Sequence, residues 1–386
     1  MKNIPKIHFR GFSEEWEEKE LGEMGVFFSG GTPLTSNKNY YEGNIPFIGS
    51  GNINDIKVQQ FISQEALKNS SAKLVEKGDL LYALYGATSG EVAISKLNGA
   101  INQAVLCIRS NQNIYFLYQY LKINKNFIIS TFLQGGQGNL SASIIKSLNI
   151  HLPPIQEQQK IGKLFETIDK LILTQERKQK QLENIKKSFL EKLFPQDDKN
   201  IPKIRFRGFS EEWEERKIKN IFDDITRGYV LSKNKISNKQ TTKFKYPVYS
   251  SQTLNNGLLG YYSEYLYENA ITWTTDGANA GDVKYRKEKF YCTNVSGVLI
   301  SKKGFSNQCI AEILNTQTKK YVSYVGNPKL MNNVMSEIII NIPPLILEQQ
   351  KIGIFFQKLD KLLELNQQKI TKLKQIKKSL LNKMLI

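Results

Sequence analysis

Two long stretches of the sequence space their apolar residues alternately three and four apart, the pattern of a helix that buries one seam along its length. The first seam reads Ile161, Leu164, Ile168, Leu171, Gln175, Lys178, Leu182, Ile185 and Phe189. The second reads Ile352, Phe355, Leu359, Leu362, Asn366, Lys369, Leu373, Ile376 and Leu380. Both break at the same two steps, an amide and then a lysine. Each stretch opens on Pro-Pro followed by Glu-Gln-Gln. Proline is tolerated where a helix begins because its missing N–H would be unpaired there, and an early glutamate suits the positive end of the dipole. Helices of about 40 residues at ~1.5 Å each would run about 60 Å. One helix of that length cannot hide its seam alone, so the twin seams predict an antiparallel pair. Packing of each helix on its own domain is the alternative. In a pair, Gln175 and Asn366 set the register, since a buried amide penalises misaligned pairings. Lys186-Lys187 and Lys377-Lys378 read as solvated faces.

Elsewhere the apolar runs are short. PFIG at 46–49, LLYALYG at 80–86 and AVLCI at 104–108 alternate with Gly, Asn and Ser turns; YPVYSS at 246–251, AITWTT at 270–275, SGVLI at 296–300 and EIIINI at 337–342 do the same. Each region reads as a twisted sheet with a few short helices, for instance around 114–124. Polar stretches at 29–43, 134–143 and 227–243 lie between, rich in Ser, Thr, Asn, Gln, Lys and Gly.

The chain is a tandem duplication. Residues 4–18 (IPKIHFRGFSEEWEE) and 201–215 (IPKIRFRGFSEEWEE) differ only at His8 and Arg205. The helical stretch from 152 returns from 342, and GATSGEV at 86–92 is echoed by GANAGDV at 277–283. A period of domain size implies two domains, not a solenoid. The organisation expected is an entry segment at 1–20, a variable insert at 21–151, a helix at 152–199, the repeated entry at 200–217, a second insert at 218–341 and a second helix at 342–386. One scaffold holding two diverged inserts suggests two different recognition surfaces; a structural protein whose middle has drifted is the alternative.

Composition narrows the partner. The formal net charge is +18 with a pI near 9.5, which favours a polyanion. Residues 216–341 hold 18 basic and 9 acidic groups, against 11 and 8 in 19–150. The three cysteines form no CxxC pair, and only His8 and His151 could join them in a metal site. That argues against a zinc finger and for a reducing compartment. No apolar run approaches the ~20 residues of a membrane span, and MKNIPKIHFRG has no hydrophobic signal core. A soluble, cytoplasmic protein without membrane contact is expected. No catalytic constellation can be assembled. There is no GxxxxGK[ST] loop and no FxGxG for S-adenosylmethionine. The LPPI and IPPL runs lack the flanking amide or acid and the aromatic that a base-flipping methyltransferase needs. The residues predict recognition without chemistry, and no metal ligands.

These features together resemble the specificity subunit of type I restriction–modification enzymes. The resemblance covers nearly the whole chain. It rests on Pro153-Pro154 to Gly162 and Pro343-Pro344 to Gly353, on the two FRGFSEEWEE entries, and on the GATSGEV and GANAGDV loops followed by Asn102 and Asn294. It implies an α+β fold with pseudo-twofold internal duplication, in which two α/β target-recognition domains are separated by two long antiparallel helices. Each domain would read half of a bipartite site in double-stranded DNA. The helices would set the spacer and dock two methyltransferase subunits, which restriction (motor-nuclease) subunits join. S-adenosylmethionine, ATP and Mg are expected on those partners, with no cofactor on this chain. The second helix start has one extra residue between Pro344 and Glu348, which would shift the seating of its domain. Loop position and side-chain chemistry nominate Thr32, Ser36, Lys38, Tyr41, Ser50, Asn52, Thr88 and Ser89 as DNA contacts in the first insert. Tyr229, Lys233, Tyr249, Ser251, Gln252, Thr275 and Asn279 are nominated in the second. Two other readings stay open: a self-sufficient DNA methyltransferase or nuclease carrying a recognition domain, and a coiled-coil interaction protein with no DNA role.

Overall fold

The computed structural model describes residues 4–132, 139–196, 199–251 and 254–385. The chain divides into two compact units, residues 1–176 with 369–386 and residues 177–368. The boundary falls inside the long helices, so each insert folds with part of both.

In the first unit, Glu17–Glu20 pairs antiparallel with Asn149–Leu152 and closes the insert at its base. A four-stranded antiparallel sheet follows in the order Gly25–Ser29, Val105–Ser110, Leu80–Ala83, Val92–Ile94. A second sheet runs Phe61–Ile62, Ile45–Ile48, Gly99–Ile101, Lys73–Val75, with its two central strands parallel. Leu80 and Tyr82 face the helices, while Leu81 and Ala83 face the second sheet. Burial on both faces explains why that run carries no polar alternation. The second unit repeats the plan with Asp224–Arg227, Ser296–Ile300, Ala270–Thr274 and Val283–Arg286 in one sheet. Its second sheet is Leu258–Tyr262, Tyr246–Tyr249, Tyr291–Cys292. Each insert thus holds two sheets where the sequence suggested one, because strands of two to four residues leave little periodicity to read.

The repeated helix start is a junction. The first long helix spans Ile155–Leu193 and the second Ile346–Met384. Gln158 donates to the Pro153 carbonyl at 2.9 Å and accepts from the Asn113 amide at 3.2 Å. Gln349 likewise donates to the Pro343 carbonyl at 2.8 Å, and its Oε1 accepts from the Asn307 side chain at 2.9 Å. Asn113 and Asn307 cap the helices Ile114–Ile123 and Gln308–Gln317. A Cβ at Gly162 would lie 2.2 Å from Asn113 Oδ1, so only glycine lets that cap approach. Beside each glutamine is a fully buried glutamate. Arg205 grips Glu348 with two bonds of 2.7 and 2.8 Å. In the first unit His8 replaces the arginine, and Glu157 keeps one oxygen without a partner among the described residues. Burial pushes that carboxyl above its ordinary range, opposed by the Phe9 amide, His8 and the Trp16 indole. The entry segments also tie to the helix ends: the Ile7 amide donates to Lys383, and the Ile204 amide to Lys192, both at 2.9 Å.

Within each unit the helices run antiparallel, and their buried stripe is shifted from the expected seam. It follows Ile161, Phe165, Ile168, Ile172, Gln175, Gln179, Leu182, Lys186 and Phe189 on one helix. On the other it follows Ile352, Phe356, Leu359, Leu363, Asn366, Ile370, Leu373, Lys377 and Leu380. Every second residue of the expected seam belongs to this stripe. Of the others, Leu164 and Phe355 are partly buried, Lys178 and Lys369 are exposed, and Leu171, Ile185, Leu362 and Ile376 are 41–49% exposed. The actual phase leaves Ile185 and Ile376 outside the stripe and moves its lysine from 178 and 369 to 186 and 377. Lys186 lies 2.6 Å from Asp360 and 3.1 Å from Glu312, and Lys377 lies 2.6 Å from Asp169. Burial presses the Lys186 ammonium down, but Glu312 and Asp360 outweigh it and leave its pKa raised. Neither lysine is a solvated face. Asn366 is nearly buried and bonds Gln179 at 3.0 Å, consistent with a register role.

This phase makes a sharp contrast between neighbours. Ile172→Asp should cost several kcal/mol because it buries an unpaired charge, while Leu171→Asp should stay within about 0.5 kcal/mol of the parent. Denaturant unfolding of both variants reads the difference, and equal losses would restore the phase expected from the sequence.

Candidate nucleic-acid interface

Sheet register decides which loops meet. In the first unit Ser29 pairs with Leu106 and Ala83 with Val105. The loops after residues 29 and 83 and the loop before 105 therefore emerge at one end of the sheet. The second sheet adds to that end, since Ile48 pairs in parallel with Ile101 and the Asn102 amide donates to Ile48 at 3.3 Å. Thr32, Ser50, Asn52, Thr88 and Ser89 are thereby gathered. Thr32 donates to Gln103 Oε1 at 2.7 Å, and Asn52 to Asp55 at 2.8 Å. Gly86 adopts φ +77 at the start of the 86–92 loop, a conformation glycine accepts without strain. Ser89 is buried, and its hydroxyl donates to the Leu84 carbonyl at 2.9 Å. It braces the turn and does not face solvent.

Three further nominated residues lie on the segment that follows Thr32. Lys38 and Tyr41 lie on the 3-10 turn Lys38–Tyr41, whose Tyr40 carbonyl accepts from the Ser63 amide beside the start of strand Ile45–Ile48. Tyr41 spends its hydroxyl on the Pro33 carbonyl at 2.7 Å, and burial raises its pKa. Ser36 is exposed on the connecting loop.

The second unit has the same geometry. Arg227 pairs with Gly297 and Thr274 with Ser296, so the loops holding Tyr229, Thr275 and Asn279 share one end with 293–295. Tyr249 pairs in parallel with Cys292, which brings Ser250 and Ser251 alongside. Thr293 donates to Ser250 at 2.9 Å, and Asn279 donates to the Ser251 carbonyl at 3.2 Å. A polar cavity of about 170 Å³ opens there, lined by Tyr249, Asn279, Lys284 and Arg286 among others. Tyr229 is exposed. Thr275 is buried and donates to Asp276 at 2.6 Å. Tyr249 is occupied: Arg286 lies 3.5 Å over its ring, and its hydroxyl donates to Glu288 at 2.6 Å. Burial raises that phenol and depresses the Arg286 guanidinium. Lys233 sits on the turn Lys233–Lys235, near the Ser237–Tyr261 bridge and away from the group. Gln252 and part of the 134–143 stretch lie outside the described residues.

Two contributors were not nominated. Arg286 enters the cavity from a strand end, and its alternation with Lys284 was the available signal. The 323–329 hairpin joins the same end through Gly277, whose amide donates to Pro328 at 2.9 Å, and through Leu330, whose amide donates to Thr275 at 2.8 Å. Its Gly-Asn-Pro turn is legible in the sequence, whereas Tyr324 and Val325 belong to none of the polar stretches. Among the described residues no cluster of His, Cys, Asp and Glu could hold a metal ion, and no helix is long and apolar enough to cross a membrane.

Ser89→Ala should lower unfolding free energy by about 1 kcal/mol, the usual net worth of a hydrogen bond. Thr32→Ala, which removes an exposed bond, should not. Denaturant titration distinguishes a bracing serine from one free to face a ligand.

Comparison with known proteins agrees with this geometry. A solved type I restriction–modification S subunit from M. genitalium matches over 99% of both chains with a TM-score of 0.74 and 17% identity, a likeness of fold. The MjaVIII specificity subunit of Methanocaldococcus jannaschii is 25% identical over 228 residues, 58% of this chain and 52% of that one. The MpnII specificity subunit of Mycoplasma pneumoniae is 34% identical over 163 residues, 42% of this chain and 47% of that one. The chain thus spans about half the length of the curated relatives it matches. The family model for the type I restriction modification DNA specificity domain matches twice, at residues 13–184 and 210–375. The chain belongs to the type I restriction modification DNA specificity domain family.

Proposed function

We propose that this chain is the non-catalytic DNA-recognition subunit of a cytoplasmic type I restriction–modification complex, each unit reading one half of a bipartite site. The observation that carries this is the pairing of one frame with two faces. Equivalent sheet ends are built on the same strand order, yet one presents Thr32, Ser50, Asn52 and Thr88 and the other Tyr229, Ser251 and Asn279. The second insert is also basic, and Lys and Arg on phosphates supply the sequence-independent part of DNA affinity. In this reading the long helices set the spacer. They also dock two methyltransferase subunits, to which the restriction subunits attach. Support comes from repeat-equivalent apolar residues left exposed on the helices, Leu171 with Leu362 and Ile185 with Ile376. Methyl transfer with S-adenosylmethionine and ATP-driven cleavage with Mg are assigned to those partner chains.

The test is selection of duplexes from a randomised pool by the full chain at several salt concentrations. The expected result is a split motif with a fixed spacer, and log affinity that falls linearly with log salt. Absence of enrichment would favour an interaction protein. Methylation by the chain alone would favour the self-sufficient enzyme.

A further inference from the structure

The second unit exposes an apolar tip that the recognition reading does not use. Within residues 321–331, Tyr321, Tyr324, Val325 and Met331 are all exposed, Tyr324 at 68% and Val325 at 92%. This is not loose chain. Ser323 and Lys329 exchange backbone bonds of 2.8 and 2.9 Å, and Gly326 turns the tip with φ +76. Val322 and Leu330 are buried on either side. A fixed hairpin therefore holds an aromatic and a branched aliphatic residue in water. It does so at the sheet end that carries Tyr229 and Asn279, with exposed Arg227 and with Lys329, which lies 4.0 Å from Asp276.

We propose that Tyr324 and Val325 form a wedge that enters the DNA duplex and unstacks one base step in the half-site read by the second unit. The inference rests on the DNA-recognition reading above. Apolar side chains pushed between base steps kink a duplex and let it wrap more protein surface, and a tyrosine ring can stack on a base. The net charge of the whole insert selects DNA over an apolar protein partner, since it holds 18 basic and 9 acidic groups across 216–341. Sequence-dependent deformability would then contribute to specificity at positions that make no hydrogen bond.

The experiment uses the full chain and the duplex it selects from a randomised pool, carrying 2-aminopurine at successive positions. Binding should raise fluorescence strongly at one step of one half-site only. The Tyr324→Ser/Val325→Ser double variant should keep its unfolding midpoint, because both residues are exposed. It should keep the hydrogen-bonded positions of the motif and the salt slope, relax its preference at the kinked step, bind about tenfold more weakly and lose the fluorescence rise. A parent that gives no rise, a variant that keeps it, or equal affinities would overturn the wedge while leaving DNA recognition standing. A pool that yields no enriched sequence for the parent would overturn both.

Discussion

Each unit depends on one buried polar knot in the first turn of a long helix. A glutamine folds back onto the carbonyl of the first proline and reaches the residue that caps a helix of the insert. The neighbouring glutamate is buried against the entry segment. Entry segment, insert and long helix are thereby joined through two side chains. Polar groups in such a place are costly unless satisfied, and satisfying them dictates one geometry. Gly162 belongs to the same knot, since any side chain there would strike the Asn113 cap. The repeated Pro-Pro, Glu-Gln-Gln and Ile-Gly pattern is the sequence trace of this junction. The loops at the far end of each sheet lie outside it and can vary.

The two copies solve one problem in slightly different ways. Arg205 and Glu348 form a closed bidentate pair, whereas His8 leaves Glu157 with an unpaired oxygen. The Trp213 indole N–H is in turn left without a partner among the described residues, while Trp16 contributes to holding Glu157. Across the helices the copies agree closely. Lys186 with Asp360, and Lys377 with Asp169, are repeat-equivalent pairs formed between the two helices, one in each unit. The insert then adds its own group, Glu312 in one unit and Tyr115 with Gln119 in the other. These pairs reward a single alignment of the helices, the role a buried polar contact plays best.

The duplication, both long helices and the repeated junction were legible because they are long or repeated. The phase of the buried stripe was not. Leu164 beside Phe165, and Leu171 beside Ile172, offer two apolar phases, each interrupted by a lysine, and the acidic partners Asp360 and Asp169 decide which lysine lies inside. The second sheet in each insert was missed because strands as short as Phe61–Ile62 carry no period. At the sheet ends, loop position grouped Thr32, Ser50, Asn52 and Thr88 within the first unit and, separately, Tyr229, Ser251 and Asn279 within the second. Chemistry alone could not tell that Ser89 and Thr275 spend their hydroxyls within the fold, or that Lys233 sits elsewhere. Val325, 92% exposed, lies outside every polar stretch of the sequence, so its position carried no signal.

The central claim is that each insert carries its own sequence preference and the frame carries none. Replacing residues 21–151 with residues 218–341 of the same chain puts two copies of one insert on the native frame. Duplex selection with that protein should return a site whose two halves are both the second half-site of the parent. A retained first half-site, or a folded protein that enriches some unrelated sequence, would contradict it.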